Sequence, residues 1–233
     1  RSTLFPYTTL FRSQRTLLSL RKLTLAKGSA MEEPSQSHVF GPVLSRRLGM
    51  SLGVDTIPQK TCNWNCVYCQ LGRTVPLQFR RGEYVPTEMI LEEVEETLAR
   101  LDPGRLDWVT FVGSGEPLLH SRMGELLRGV RRCTDHPVAV ITNGSLLSRA
   151  EVQDEVMEAD AVLPTLDAGT ADLFKKVNRP HPAISFRQHV AGLASFRRRY
   201  TGRLLVEVML LRHLNDSEEA LPDIARHLAS ISP

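Results

Sequence analysis

The chain has 233 residues, 42% of them hydrophobic, which is enough for one domain with a sizeable apolar core. No apolar run approaches the roughly 20 residues of a membrane-spanning helix, so no membrane partner is expected. The formal net charge of +3 does not indicate a nucleic-acid partner, because residues 1–30 contain six basic residues and no acidic one. The rest of the chain has 23 basic and 26 acidic residues, a net charge of −3.

Residues 1–30 are predicted to lie outside the folded domain. Residues 1–13 resemble the translation of a common sequencing-adapter oligonucleotide, with Arg-Ser at both ends of the run. Their Arg-, Ser- and Leu-rich composition imitates a transit peptide, but on this interpretation it carries no targeting information. We therefore expect a non-native leader over 1–30 and one domain over 31–233. Because no strand follows the last predicted helix, we expect that domain to be incomplete at its C-terminal end.

Short apolar runs alternate with segments of helical periodicity from residue 31 onward. Strands are predicted over 51–55, 108–112, 138–142, 161–163 and 204–211. Helices are predicted over 87–101, 122–132, 149–158, 185–200 and 217–228, with Pro222 marking a later start or a kink in the last one. Repeated strand–helix alternation indicates an α/β fold with a parallel sheet. In such folds functional residues gather at the carboxyl ends of the strands.

Three cysteines, Cys62, Cys66 and Cys69, lie within eight residues at C-x3-C-x2-C spacing after the first predicted strand. Three thiolates can hold three corners of a cubane iron–sulfur cluster, whose complete ligation takes four. The fourth iron would stay open to a substrate or cofactor, which predicts an enzyme. Clustered cysteines also favour a reducing, cytoplasmic location over a secreted disulfide framework. Cys133 is interpreted as an ordinary thiol.

A zinc site is the main alternative for the three cysteines. A structural zinc ion takes four ligands, and the sequence contains no second cysteine pair. The nearest histidines, His38 and His120, have no matching spacing, although a distant histidine could still complete a site.

The segment Gly113-Ser114-Gly115-Glu116-Pro117 directly follows the second predicted strand. Its two glycines would let a ligand approach the backbone, and Glu116 offers a carboxylate at the carboxyl end of the strand. By itself the segment is also compatible with an ordinary strand-to-helix turn.

The cysteine spacing, the aromatic Tyr68 before the third cysteine and the Gly-Glu-Pro after the second strand resemble the radical S-adenosylmethionine superfamily. The flanking segments 45–49, 68–72 and 178–182 are similar to an uncharacterised branch of iron–sulfur oxidoreductases related to the tRNA wyosine-synthesis enzymes. The resemblance covers about residues 39–233. It implies a partial (βα)6 TIM-like barrel, truncated here before its last strand.

The resemblance also implies a chemistry and a set of binding residues. A [4Fe–4S] cluster on Cys62, Cys66 and Cys69 would cleave S-adenosylmethionine reductively, and the 5′-deoxyadenosyl radical would abstract hydrogen from an unknown substrate. The residues implied in binding S-adenosylmethionine are Tyr68, Ser114, Gly115, Glu116, Pro117, Thr142, Asn143 and Asp167. Ser114 stands where the family usually has glycine. A low-potential electron donor of the flavodoxin or ferredoxin type would be the partner.

Several alternatives stay open on the sequence alone. Asn143 is also compatible with a left-handed turn residue before Gly144, and Asp167 with a helix cap. Arg179 and His181 lie in a proline-bracketed loop that could face a substrate. For the whole chain, tRNA base modification and a non-catalytic iron–sulfur or zinc-binding module are the rival functions.

Overall fold

One mixed sheet organises residues 37–233, the part of the chain that the computed structural model describes. The sheet has six strands in the order β1-β2-β3-β4-β5-β6. They are Val39–Ser45 (β1), Gly49–Val54 (β2), Trp108–Phe111 (β3), Val138–Ile141 (β4), Ala161–Leu163 (β5) and Arg203–Leu204 (β6). β1 is antiparallel to β2, and each later strand is parallel to the strand before it. The predicted leader over 1–30 lies outside the described residues, and the predicted domain division stays a prediction.

Helices separate the parallel strands, as the sequence predicted. They are Thr87–Arg100 (α1), Met123–Cys133 (α2), Ala150–Val156 (α3), Ala171–Val177 (α4), Phe186–Arg199 (α5) and Ala220–Ile231 (α6). The short helix α4 was not predicted. The last helix begins three residues later than predicted, with Pro222 in its first turn, where proline is tolerated. None of these described helices is long and apolar enough to cross a membrane.

The helices cover one face of the sheet and build the main apolar core. The register aligns Val54, Phe111, Val140 and Val162 across four strands, and all four are 0% exposed. Together with buried residues of the helices they form one hydrophobic cluster. Burying a side chain of this size stabilises the fold by about 1.5–3 kcal/mol.

The opposite side of the sheet, which we call the inner face, carries a more mixed set of side chains. Its residues are Ser51, Gly53, Trp108, Thr110, Ala139, Ile141, Ala161, Leu163, Arg203, Leu205 and Glu207. Because paired residues of neighbouring strands point to the same side, the pairing register assigns this set. The Ser51 and Thr110 hydroxyls are hydrogen-bonded across it at 2.5 Å. Leu48, from the β1–β2 turn, packs on Ala139, Ala161 and Leu163 in a separate apolar cluster.

The first predicted strand is the second strand of the sheet. β1, which pairs with it, was not predicted because its sequence lacks a regular alternation. A register shift interrupts the ladder between Phe40 and Val43, where Gly41 adopts φ +105° and Pro42 has no N–H to donate.

The prediction of a fifth strand over 204–211 is wrong for most of its length. The ladder contains Arg203 and Leu204, followed by one isolated bridge between Thr165 and Glu207. Beyond Glu207 the chain leaves β5, and the Met209 N–H donates to a side chain, the Asp167 carboxylate, at 2.7 Å. The apolar run that suggested a strand is therefore exposed at its end, with Met209 at 47% and Leu210 at 53%.

Candidate active site

The carboxyl ends of β2 to β5 bring the predicted strand-end residues to one edge of the sheet. The 113–117 segment follows β3, Thr142 and Asn143 follow β4, and Asp167 follows β5. Parallel strands make this inevitable, since their carboxyl ends meet at the same edge. The segment between β2 and α1, which we call the cysteine loop (residues 55–86), lies over this edge.

The cysteine loop is held against the chain segment that follows α4. The Val67 N–H donates to the Val177 carbonyl at 2.9 Å, and the Asn65 N–H to the Asn178 carbonyl at 3.1 Å. Trp64, only 2% exposed, lies edge-on to the Phe174 ring at 5.1 Å between centroids. The loop therefore has its own apolar anchor, which fixes the backbone that carries the cysteines.

Each of the three thiols has an N–H donor directed at its sulfur. Cys62 Sγ lies 3.4 Å from the backbone nitrogen of Trp64 and 3.9 Å from Asn143 Nδ2. Cys66 Sγ lies 3.6 Å from Asn178 Nδ2. N–H donors of this kind stabilise thiolates and tune iron–sulfur clusters.

The third cysteine has a charged donor. Lys60 Nζ lies 3.3 Å from Cys69 Sγ and donates at 2.6 Å to the Gly72 carbonyl. The Lys60 backbone has φ +67°, and its N–H donates to the Ser114 carbonyl at 2.6 Å. The cation therefore reaches the cysteine from a backbone position fixed by the loop after β3.

The three thiols are the type of donor that an iron–sulfur cluster takes. Burial raises the pKa of Cys62 to about 12 and that of Cys66 to about 11; the Glu116 charge adds to the first shift, and so do both other cysteines. Buried thiolates are stabilised by a cationic centre beside them. In a cubane each thiolate is bound to a different iron, so three thiols carried by one loop are compatible with such a cluster.

Glu116 is a fully buried carboxylate, 1% exposed, at the end of β3. It accepts hydrogen bonds from Thr142 Oγ1 at 2.5 Å, the Asn143 N–H at 2.7 Å and the Leu118 N–H at 3.0 Å. Burial raises its pKa to about 7 despite these three donors. Glu116 therefore ties the end of β3 to the end of β4.

Asn143 is not a left-handed turn residue; Gly144 takes that conformation, with φ +77°. The Asn143 amide instead donates to Asn63 Oδ1 at 2.6 Å, and its oxygen accepts the Ser145 N–H at 2.9 Å. Asn63, 0% exposed, donates in turn to Ser145 Oγ at 2.9 Å. The end of β4 is thus joined to the cysteine loop by two amides, that of Asn143 half-buried and that of Asn63 buried.

Asp167 is not a helix cap, because Thr170 caps α4. Its carboxylate accepts from the Tyr68 hydroxyl at 2.5 Å, from Asn178 Nδ2 at 2.6 Å and from the Met209 N–H at 2.7 Å. Burial raises the pKa of Asp167, and burial together with the Asp167 charge raises that of Tyr68. Asp167 therefore organises the end of β5 around the middle of the cysteine loop.

The two glycines after β3 are approached by other parts of this chain. A Cβ on Gly115 would lie 1.9 Å from the Thr61 carbonyl oxygen, and one on Gly113 would lie 2.2 Å from the Asp55 carboxyl carbon. The Thr61 oxygen also accepts the Glu116 N–H at 3.0 Å. Glycine at 115 is thus required for the cysteine loop to dock on the 113–117 segment.

The proline-bracketed loop after α4 also packs on the cysteine loop. The His181 N–H donates to the Asn63 carbonyl at 2.8 Å, and its ring stacks on Phe79 at 5.0 Å. The Arg179 carbonyl accepts from the Asn65 N–H at 3.2 Å. A substrate-facing role for Arg179 and His181 stays a prediction.

Four residues of this edge were missed from the sequence: Asp55, Lys60, Asn63 and Asn178. Asp55 follows β2 as Asp167 follows β5, so the strand-end rule that selected Asp167 applies to it as well. Asn178 adjoins the Arg179-Pro180 loop that the sequence had already marked. Lys60 and Asn63 carry no comparable signal. Asn63 contacts Asn143, which is 80 residues away in sequence, and Lys60 meets Cys69 only because of the way the cysteine loop folds.

Relatives of this chain cover it well, but most of them are longer. A protein named GTPase Obg from Brachyspira hyodysenteriae is 42% identical over 211 residues, 91% of this chain and 31% of its own length. A UPF0026 protein from Methanocaldococcus jannaschii is 37% identical over 194 residues, 83% of this chain and 60% of its own length. The chain thus spans less than two thirds of the length of these two relatives.

The fold has relatives among solved structures. TYW1 with a lysine–pyruvate adduct bound superimposes with a TM-score of 0.56 at 15% identity, over 78% of this chain and 61% of that one. This likeness confirms the predicted α/β architecture of the partial TIM-like barrel kind. The sequence profile of the Radical SAM superfamily matches residues 56–225, which include all three cysteines, the 113–117 segment, Thr142, Asn143 and Asp167. The chain belongs to the radical SAM superfamily, whose members use a [4Fe–4S] cluster and S-adenosylmethionine.

Proposed function

We propose that this chain is a radical SAM enzyme in which Cys62, Cys66 and Cys69 hold a [4Fe–4S] cluster. The residues proposed to bind S-adenosylmethionine are Tyr68, Ser114, Gly115, Glu116, Pro117, Thr142, Asn143 and Asp167. When bound, the cluster would supply the electron that cleaves S-adenosylmethionine to a 5′-deoxyadenosyl radical, which abstracts hydrogen from a substrate.

The observation that carries this proposal is the juxtaposition of three thiols with two buried carboxylates at one sheet edge. Glu116 lies close enough for its charge to act on Cys62, and Asp167 shares the donor Asn178 with Cys66. Both carboxylates lie on loops that the cysteine loop contacts directly. Negative charge here favours a cationic amino or sulfonium group beside the thiols.

The polar network holds the pieces in place. Glu116 fixes the Thr142–Asn143 segment, and Asp167 fixes Tyr68 through its hydroxyl. Because these donors and acceptors are buried and already paired, binding of the cofactor would cost little reorganisation. The site can therefore be largely formed before the cofactors bind.

We propose further that a low-potential donor of the flavodoxin or ferredoxin type supplies the electrons, in the cytoplasm. Superfamily membership supports the need for a reductant. The alternatives of tRNA base modification and a non-catalytic metal module gain no support from the family match, and the substrate is left open.

The test is anaerobic reconstitution of the 233-residue chain with iron and sulfide, followed by dithionite and S-adenosylmethionine. We expect 5′-deoxyadenosine, measured by liquid chromatography. Cys66→Ala should lose both the cluster absorbance and the product, whereas Cys133→Ala, which changes an exposed thiol, should retain both.

An intact cluster that yields no 5′-deoxyadenosine would refute the enzymatic proposal, provided that a longer relative is active in the same assay. The UPF0026 protein of Methanocaldococcus jannaschii is a suitable control, because this chain matches 60% of its length.

A further inference from the structure

A groove with a volume of about 540 Å³ lies between α5, the turn that follows β4 and the cysteine loop. Small-molecule sites in proteins typically have volumes of roughly 300–1,000 Å³. α5 lines the groove with Gln188, Gly192, Ser195 and Arg198, which share one face of the helix. No residue proposed to hold the cluster or S-adenosylmethionine lines it, so the groove is separate from the candidate active site.

The walls of the groove are packed in place. A Cβ atom on Gly192 would lie 2.7 Å from the Cα atom of Ser148, so α5 packs directly on the backbone of the 145–148 turn. Ser145 Oγ accepts from the buried Asn63 amide of the cysteine loop at 2.9 Å. The groove is therefore formed before a ligand binds, which lowers the cost of binding.

Two arginines line the groove without an acidic partner. Within residues 37–233, neither Arg149 nor Arg198 forms an ion pair or a side-chain hydrogen bond. The Arg149 guanidinium carbon lies 4.6 Å from the centroid of the Phe79 ring, a cation–π contact that holds it on the cysteine-loop side of the groove. Each guanidinium has five N–H donors in a planar fork that suits carboxylate and phosphate oxygens.

Acidic residues of the surrounding elements do not neutralise these two arginines. On α3, Asp154 and Glu155 are paired with other arginines. Glu151, the third acidic residue of that helix, is exposed and does not line the groove. Neither α5 nor the 178–184 loop contains an acidic residue. The charge that lines the groove is therefore positive.

The uncharged polar side chains of the groove offer donors as well. The Gln188 amide oxygen already accepts from Ser185 Oγ at 2.8 Å, and that of Gln153 from Arg199 Nη1 at 2.9 Å. The Gln188 amino group and the Ser195 hydroxyl have no hydrogen-bond partner in the described part of the chain. A groove that presents N–H and O–H donors beside two cations fits a ligand rich in acceptor oxygens, which is an oxyanion.

The groove is also connected to the cysteine loop. Phe79 belongs to that loop, and the N–H of the preceding Gln78 donates to the Cys62 carbonyl at 2.9 Å. A ligand that contacts both Phe79 and α5 would join the segment beside a cysteine to a helix that covers the sheet. Because such a ligand binds only the folded chain, it would also raise the melting temperature.

We propose that this groove is a binding site for a small anionic compound, one that carries phosphate or carboxylate groups, and that Arg149 and Arg198 bind those groups. The site lies apart from the residues proposed for the cluster and for S-adenosylmethionine. The inference therefore goes beyond the proposed function and does not depend on it.

The test is isothermal titration of the cluster-free 233-residue chain with inorganic tripolyphosphate and, separately, with citrate. We expect saturable binding of at least one probe, and the tighter probe decides between a phosphate and a carboxylate ligand. Arg198→Gln should weaken binding about tenfold or more, the equivalent of one charge-assisted hydrogen bond. Arg149→Gln should weaken it by a similar factor, and Arg198→Lys, which keeps the charge, should weaken it less than Arg198→Gln.

The matched control is Arg187→Gln, which removes an exposed charge from the same helix but outside the groove. The inference is overturned if the unaltered chain binds neither probe saturably, or if Arg149→Gln and Arg198→Gln lower the affinity no more than Arg187→Gln does. Thermal melts of the ligand-free variants separate lost recognition from lost folding. Because the titration needs neither cluster nor S-adenosylmethionine, its failure is distinct from a failure to form 5′-deoxyadenosine.

Discussion

The helix-covered face of the sheet and the edge under the cysteine loop both bury side chains completely. The buried side chains are apolar in the first region and polar in the second. Phe111 and Val140 in the first region are 0% exposed, and so are Asn63 and Asn178 in the second. In the first region, removal of apolar area from water drives burial. In the second, polar groups are buried as well, and each one left without a partner costs about 1–3 kcal/mol.

This difference implies that the two regions fail in different ways. A substitution in the apolar core leaves a cavity, whose cost is purely one of stability. A substitution at the edge leaves a polar group or a thiol without its donor, and the cost is divided between stability and the properties of the site. Four predictions test this contrast.

The largest loss of stability is expected from Phe111→Ala. The ring fills the helix-covered core, so its removal should lower the free energy of unfolding by about 3–5 kcal/mol. Thr110 precedes Phe111 on the same strand but lies on the inner face. Thr110→Val removes only the hydroxyl contact to Ser51 and should lower the free energy of unfolding by about 1 kcal/mol. Urea denaturation measures both. Similar costs for the two would contradict the division into two faces.

The second prediction concerns pH and the buried His189, which lies beneath the cysteine loop with its ring 5.3 Å from Trp64. Burial lowers its pKa to about 4, from an ordinary value of 6.5. The folded state therefore prefers the neutral ring. The stability that the neutral His189 ring contributes is complete above pH 6.5 and is lost as the pH falls towards 4. The free energy of unfolding should fall by roughly 3 kcal/mol over this range.

The measurement compares the unaltered chain with His189→Gln, which can still donate to the Thr165 carbonyl that His189 Nε2 contacts. The difference in unfolding free energy between the two should shrink between pH 7 and pH 4. Contributions of Glu116 and Asp167, whose pKa values are raised, are common to both chains and cancel. A difference that is flat with pH, or one that the exposed His213→Gln variant reproduces, would contradict the prediction.

The third prediction concerns the amide that serves both a carboxylate and a thiol. Asn178→Ala removes the donor to Asp167 and Cys66 and should destabilise the cluster-free chain by about 1–3 kcal/mol. It should also lower the yield of reconstituted cluster, measured as bound iron per chain. Gln70→Ala, which removes an exposed amide from the same loop, is the control and should leave both quantities unchanged. Loss of stability with full iron content would limit Asn178 to a structural role.

The same contrast explains what the sequence could predict. The helix-covered face follows from local periodicity, so the sequence predicted β2 to β5 and most of the helices. It did not predict β1, because Gly41 and Pro42 interrupt the strand pattern there. The three cysteines and Glu116 were found because spacing and position after a strand are local signals.

The partners at the edge could not be predicted in this way. Asn178 meets Cys66 across 112 residues, and Glu207 meets Arg47 across 160. Such pairs exist only once the loops have docked, and a buried asparagine has no periodicity to distinguish it from a turn residue. The sequence assigned the glycines of the 113–117 segment to the approach of a ligand, whereas in the structure the Thr61 carbonyl approaches Gly115.

The smallest expected effect belongs to Lys60, whose ammonium group lies 3.3 Å from Cys69 Sγ. Reduction adds negative charge to a cluster, so a cation and an N–H donor at one of its thiolates favour the reduced state. Lys60→Met should therefore lower the midpoint potential of the reconstituted cluster by an amount on the order of tens of millivolts. Potentiometric titration followed by electron paramagnetic resonance measures this without any turnover. Lys60→Arg should restore part of the shift, while Lys175→Met, a change on the exposed side of α4, should cause none. If Lys60→Met left the potential unaltered, the lysine would serve only to hold the Gly72 carbonyl, and the edge would tune its metal centre through the neutral amides alone.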